Sequence, residues 1–182
     1  MMGDSGSYED VDPSGAAVTF WHQHSGGREE QLQAIVDTFN ETNEYGITVE
    51  ATNQGGYGDI FNKMLNVAGT TDAPNLVVAY QNQAATYQLA DALIDMTPLV
   101  DSEKWGLGDD EKADFFQGFY NADIFPSFDG ARLGFPPNRS MEVMYSNADW
   151  LAELGFDGPP ATPDEFAAAA CAAASTPFSG GV

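Results

Sequence analysis

Six consecutive residues, Phe20-Trp21-His22-Gln23-His24-Ser25, offer two aromatic rings, two imidazoles, an amide and a hydroxyl in one short stretch. A ring to stack on, with several hydrogen-bonding groups beside it, suits recognition of a small polar molecule. Trp21 can lie against a sugar face, and His22 and Gln23 can bond ligand hydroxyls or a phosphate. The alternation His22-x-His24 also points two imidazoles the same way on a strand, which is half of a metal site. Zinc needs three or four ligands, and the remaining donors are carboxylates, since the chain has two histidines and one cysteine, Cys171. A metal-dependent hydrolase built on His22 and His24 is therefore the alternative reading, and no metal or cofactor is expected. There is no Gly-x-Ser-x-Gly elbow and no nucleophile beside a base.

Three further groups carry binding chemistry. Gly55-Gly56-Tyr57-Gly58 permits close backbone approach next to a phenol, with a spacing that is neither a Walker loop nor a dinucleotide fingerprint. Tyr80, Gln81 and Asn82 close an apolar run and face the same crevice. Asn138, Arg139 and Ser140 follow two prolines, and Arg139 is one of only six basic residues. A cation there suits an anionic group such as phosphate or carboxylate, or a salt bridge to a neighbouring acid.

The elements that must position these groups repeat in order. Strand Val18–Trp21 leads to helix Arg28–Asn43, where Leu32, Ile35, Val36 and Phe39 follow the spacing of one buried stripe. Strand Ile47–Ala51, a loop, and helix Asp59–Ala68 follow, with Asp59 expected as N-cap and Ile60, Met64, Leu65 and Ala68 as the buried face. Strand Leu76–Tyr80 is continuously apolar through Ala79, as expected where helices cover both faces. The loop 81–83 precedes a helix running to Ala92. Three such units predict an α/β fold with a mostly parallel sheet, whose ligands bind at the carboxyl ends of the strands. Beyond Leu93 the pattern is irregular. Asp129-Gly130 reads as a turn between short strands, and Arg132–Phe135 and Met141–Ser146 as strands. A helix is expected from Asn147 to Leu154, and Thr162-Pro163-Asp164-Glu165 opens a last helix with a capping box.

Charge excludes several classes of partner. Twenty-eight acidic against six basic residues give a net charge of −22 in 182 residues, which repels nucleic acid and anionic membranes and keeps the chain solvated. No apolar run reaches the roughly 20 residues of a membrane helix. Met1-Met2-Gly3-Asp4 shows no secretory signal, yet Gly3–Gly15 is the kind of polar tether that follows one. Cys171, within an alanine run, is expected as a small core residue. The chain stops in loop-like sequence after its last helix, which reads as interrupted. A stand-alone interaction module is the further alternative.

Phe20-Trp21-His22, Gly56-Tyr57, Pro137-Asn138-Arg139-Ser140, Tyr145-Ser146-Asn147-Ala148-Asp149 and Thr162-Pro163-Asp164-Glu165-Phe166, in this order, resemble the extracellular solute-binding proteins of ABC importers. The nearest likeness is to the maltose-binding-like branch of sugar and glycerol-3-phosphate binders. The resemblance implies a periplasmic-binding-protein-like fold: residues 1–16 an acidic flexible tether, 17–135 a first α/β lobe, and 136–182 a crossing strand and the start of a truncated second lobe. It implies a monomer outside the cytoplasm, lipid-anchored in its full length. Such a protein captures a sugar or polyol phosphate for a permease's transmembrane subunits and catalyses nothing. It implies ligand contacts at Trp21, His22, Gln23, Tyr57, Tyr80, Asn82, Asn138, Arg139 and Ser140. Where the glycerol-phosphate branch often carries an acid after the tyrosine, this chain has Gly58.

Overall fold

A computed structural model describes residues 8–181. Residues 1–7 of the expected tether, and Val182, lie outside the described residues. The chain divides into two compact units, one ending at Arg139 and one beginning at Ser140.

The first unit is α/β, with a parallel sheet flanked by helices. Strand β1 (Ala17–His22) is followed by helix α1 (Gly27–Thr42), then by β2 (Thr48–Asn53) and α2 (Tyr57–Val67), and then by β3 (Leu76–Val77) and α3 (Gln81–Leu89). The sheet order is β2-β1-β3 and both pairings are parallel, with Val18 opposite Val49 and Trp21 opposite both Thr52 and Val77. Asparagine side chains complete the ladder where backbone partners end. Asn40 of α1 donates to the Val49 carbonyl at 3.0 Å and accepts from its N–H at 2.7 Å. Asn75 accepts from the Thr19 N–H at 2.9 Å. Gly46 turns the chain from α1 to β2 with φ +64°, as its type suggests.

The core centres on Ile60 and Met64 of α2 and Tyr87 of α3, with Trp21, Phe61 and Val77 packed around them. The helical periodicities hold, but burial is less complete than the apolar stripes imply. On α1, Val36 is buried while Ile35 is 67% and Phe39 41% exposed; on α2, Leu65 is 54% exposed. Leu76 also stands half exposed, contrary to the expectation for a doubly covered strand. The reason is the small sheet: three strands, one of two residues, offer too little surface to cover every stripe. The expected loop 81–83 is instead the first turn of α3, with Tyr80 as its N-cap. Asp59 is not the N-cap of α2 but its third residue, and its carboxylate accepts from the N–H of the true cap, Gly56, at 2.8 Å.

The rest of this unit is short pieces: α4 (Thr97–Val100), α5 (Asp109–Asp114), α6 (Gln117–Tyr120), and the antiparallel strands β4 (Ile124–Phe125) and β5 (Ala131–Arg132). Asp129 and Gly130 both adopt positive φ in the turn between β4 and β5, as expected. Within the expected tether, Tyr8 and Glu9 bond to the segment 103–105. Trp105 Nε1 donates to the Tyr8 carbonyl at 2.9 Å, and the Glu103 N–H donates to the Glu9 carboxylate at 3.1 Å.

In the second unit, α7 (Ala148–Glu153) and α8 (Pro163–Ser175) begin as the sequence predicts. Asn147 accepts from the Trp150 N–H, and Thr162 and Glu165 form the reciprocal capping pair. Met141–Ser146 forms no strand, because no partner strand lies beside it among the described residues. Cys171 is exposed rather than a core residue, since α8 buries only Ala169. Replacing Ile60 by Ala, at the fully buried centre of the first unit, should lower unfolding free energy by about 2–5 kcal/mol in urea titration. A change below about 0.5 kcal/mol would place the core elsewhere.

Candidate ligand-binding cleft

Helices α2 and α3 both start at the carboxyl ends of parallel strands, and one side chain joins their first turns. Gln83, buried, donates through Nε2 to the Tyr57 carbonyl at 3.2 Å and accepts through Oε1 from the Tyr80 N–H at 2.9 Å. This crosslink sets the two tyrosines face to face, with ring centroids 4.2 Å apart and planes 23° apart. Gly55, just before α2, has φ +92° and sits where a Cβ would meet the Asp59 carboxylate at 2.6 Å, which favours glycine there. Burial, and to a smaller extent Tyr80, raise the Tyr57 hydroxyl above its ordinary pKa, while Arg139 opposes the rise. Tyr57 therefore stays a neutral donor near pH 7.

Beside this pair lies a cavity of about 250 Å³, lined by Tyr57, Phe20, Gln81, Met96, Phe135, Asn138, Arg139 and Asp123 among others. Mixed apolar walls with a few polar groups are the usual make-up of a small-molecule site, although this volume is at the small end. Arg139 is not free: its Nη2 donates to the Asp123 carboxylate. Burial pushes the Asp123 carboxyl up, and the guanidiniums of Arg139 and Arg132 pull it partly back. Arg132 is itself buried, with Nη1 donating to the Tyr120 carbonyl at 2.7 Å and its guanidinium 4.3 Å from the centre of the Tyr120 ring. Asp95 accepts from the N–H groups of Arg132 and Thr97. Burial would raise the Asp95 carboxyl, but these bonds and the Thr97 hydroxyl hold it low.

The structure brings together Tyr57, Tyr80, Gln81, Asn138 and Arg139 of the residues singled out by sequence. It places the others apart from this cavity. Trp21 packs on the Ile60, Met64 and Tyr87 core, because alternation along β1 turns it away from Phe20. His22 is 2% exposed and its Nδ1 has no hydrogen-bond partner; the Gln23 Oε1 is likewise buried and unpaired. The rings of His22 and His24 lie 6.1 Å apart, and no group of three or more His, Cys, Asp or Glu side chains converges on a metal position among the described residues. Asn82 is exposed on α3, outside the cavity lining. Ser140 belongs to the second unit and is exposed there.

Sequence reasoning missed Asp123 and the structural role of Gln83. Asp123 lies in a short 3-10 turn without periodicity, 16 residues from its partner, so nothing local marks it. The second unit has its own groove of about 220 Å³ between α7 and α8, lined mostly by apolar side chains such as Trp150, Leu154 and Phe166. It lacks the converging polar groups of the first.

The profile of the family described as bacterial extracellular solute-binding protein matches residues 34–180. The sn-glycerol-3-phosphate-binding periplasmic protein of Rhizobium meliloti is 25% identical over 155 residues, covering 84% of this chain and 35% of that protein. The crystal structure of the cyclic alpha-maltosyl-1,6-maltose binding protein from Arthrobacter globiformis matches with a TM-score of 0.63 at 22% identity, over 86% of this chain and 38% of that one. This second likeness shows a shared fold. The chain spans little more than a third of the length of these relatives.

Two outcomes follow from the geometry. Gln83→Ala removes both bonds between the first turns of α2 and α3, and should cost about 1–3 kcal/mol of unfolding free energy, read by urea titration. Burial of His22 lowers its proton affinity, which Glu29 partly offsets and His24 reinforces. The unfolded chain then takes up the proton first, so the stability held by neutral His22 is complete above about pH 6.5 and is lost as pH falls below it. The thermal midpoint of the wild type relative to H22F should drop between pH 7.5 and 5.5; a constant difference would mean that His22 titrates normally.

Proposed function

Because the chain belongs to the bacterial extracellular solute-binding protein family, we propose that it is part of the substrate-binding subunit of an ABC importer. In this reading, residues 17–135 are the first lobe, and residues 136–182 are the crossing segment and the opening of a second lobe. The ligand is a carbohydrate or polyol phosphate, handed on to the permease's transmembrane subunits outside the cytoplasm by a monomeric, lipid-anchored protein. Members of the family bind solutes and are not enzymes. Among the described residues, no helix is long and apolar enough to cross a membrane.

The observation that carries the ligand class is the Tyr57–Tyr80 stack at the mouths of two parallel βα units, beside a cavity with Gln81, Asn138 and Arg139 in its lining. An aromatic face with clustered amides and a guanidinium matches a polyhydroxyl compound, which offers C–H faces and donor–acceptor hydroxyls together. The relatives named above are described as binders of glycerol-3-phosphate and of a cyclic maltosyl sugar, which are compounds of this kind. In this reading Trp21, His22, Gln23, Asn82 and Ser140 remain proposed contacts. The two buried, unpaired atoms of His22 and Gln23 support a polar ligand approaching the end of β1.

Isothermal titration with maltose and with sn-glycerol-3-phosphate tests the proposal. One of them should bind, and Tyr57→Ala should weaken that binding about tenfold. The control Tyr145→Ala, at a residue 93% exposed in the second unit, should leave it unchanged. Equal losses in both variants, or binding by neither compound, would count against this cleft.

A further inference from the structure

We propose that Asp123 is a specificity-determining residue that makes the cavity of the first unit select an uncharged polyhydroxyl ligand over a phosphate or carboxylate. The inference rests on the ligand-binding reading of that same cavity and goes further by choosing between ligand charges.

Three groups near the cavity are the usual means of holding an anion, and in each one N–H is already occupied by an anionic or amide oxygen of the chain itself. Arg139 is the one cation in the cavity lining, and its guanidinium donates to the Asp123 carboxylate within that lining. The N-terminus of α2, where a helix dipole and free N–H groups favour a phosphate, carries the Asp59 carboxylate on the Gly56 N–H at 2.8 Å. At the start of α3, the Tyr80 N–H is taken by the Gln83 Oε1 at 2.9 Å. Behind the wall, the Arg132 guanidinium donates to the Tyr120 carbonyl at 2.7 Å, and Asp95 accepts from the Arg132 backbone N–H at 3.0 Å. The cluster of Arg132, Arg139, Asp95 and Asp123 thus sums to zero charge, inside a chain of net −22.

A phosphate entering this cavity meets no surplus positive charge. Even at the Arg139 Nε, which has no partner, it must sit beside the buried Asp123 carboxylate, whose like charge opposes it. A sugar hydroxyl has no such conflict. It donates to the Asp123 carboxylate and accepts from Arg139 without breaking their contact, since each keeps spare bonding capacity.

The test is titration of inorganic phosphate into the 182-residue chain and into Asp123→Asn, which keeps the size and an acceptor oxygen but removes the charge. The wild type should show no binding up to about 10 mM phosphate, and D123N should bind at least about tenfold more tightly. Phosphate binding by the wild type overturns the proposal, and so does a D123N variant that gains nothing. Circular dichroism establishes that D123N is folded. If it is not, the wild-type titration alone decides, because phosphate bound below about 10 mM contradicts the neutralised guanidinium and its absence supports it. Maltose and sn-glycerol-3-phosphate titrated in parallel report separately on the ligand-binding reading. Failure of both maltose and sn-glycerol-3-phosphate to bind counts against the proposed function, while the phosphate comparison still decides the role of Asp123.

Discussion

The buried amide of Gln83 holds the arrangement on which the cleft depends. A parallel sheet delivers the starts of α2 and α3 to the same end but does not dictate how closely they approach. Gln83 does so by using both ends of its amide, donating to the Tyr57 carbonyl and accepting from the Tyr80 N–H. The contact binds main chain rather than side chain, so it fixes backbone positions and leaves both phenol rings available. Stacking of Tyr57 on Tyr80 then follows from the spacing. Gln83 is itself buried, which keeps competing water from these two bonds.

Electrostatics around the cleft run against the chain as a whole. The surface carries a large acidic excess, yet Arg139 in the cavity lining is paired with the Asp123 carboxylate, and the Arg132 guanidinium is held by the Tyr120 carbonyl. The helix start at Gly56 is satisfied by a side chain of its own helix, Asp59. Polar groups around the cavity are therefore arranged as dipoles and pairs, which suits the hydroxyls of the proposed ligand. The Gly55-Gly56 stretch, which permits close approach to a ligand in sequence terms, accommodates Asp59 instead.

Much of the fold was legible because local periodicity and register carry the information. The β1–α1 and β2–α2 units, the turn at Gly46, the turn at Asp129-Gly130 and the capping pair of α8 all follow from spacing within a few residues. Errors arose where burial depends on what lies across the fold. Ile35, Phe39 and Leu65 continue good helical stripes, but a three-stranded sheet leaves them exposed. Met141–Ser146 has a strand's composition and no strand beside it. Residues 81–83 read as a polar loop because nothing local shows that Gln83 would turn inward and cap its own helix. At the site, Tyr57 and Tyr80 were recognisable as aromatic residues ending βα units. The Asp123–Arg139 pair was not, since it joins an irregular turn to a segment that follows two prolines.

One small cavity of mixed apolar walls and a few polar groups, lined by Tyr57 beside its stack on Tyr80, is the proposed seat of the solute. The most direct measurement is a 1H–15N NMR titration of the chain with maltose, followed amide by amide. Ligand capture in this cavity predicts shift changes concentrated at residues 57–59, 80–84 and 134–139, with α8 unaffected. Changes confined to α7 and α8, or spread evenly over both units, would contradict it.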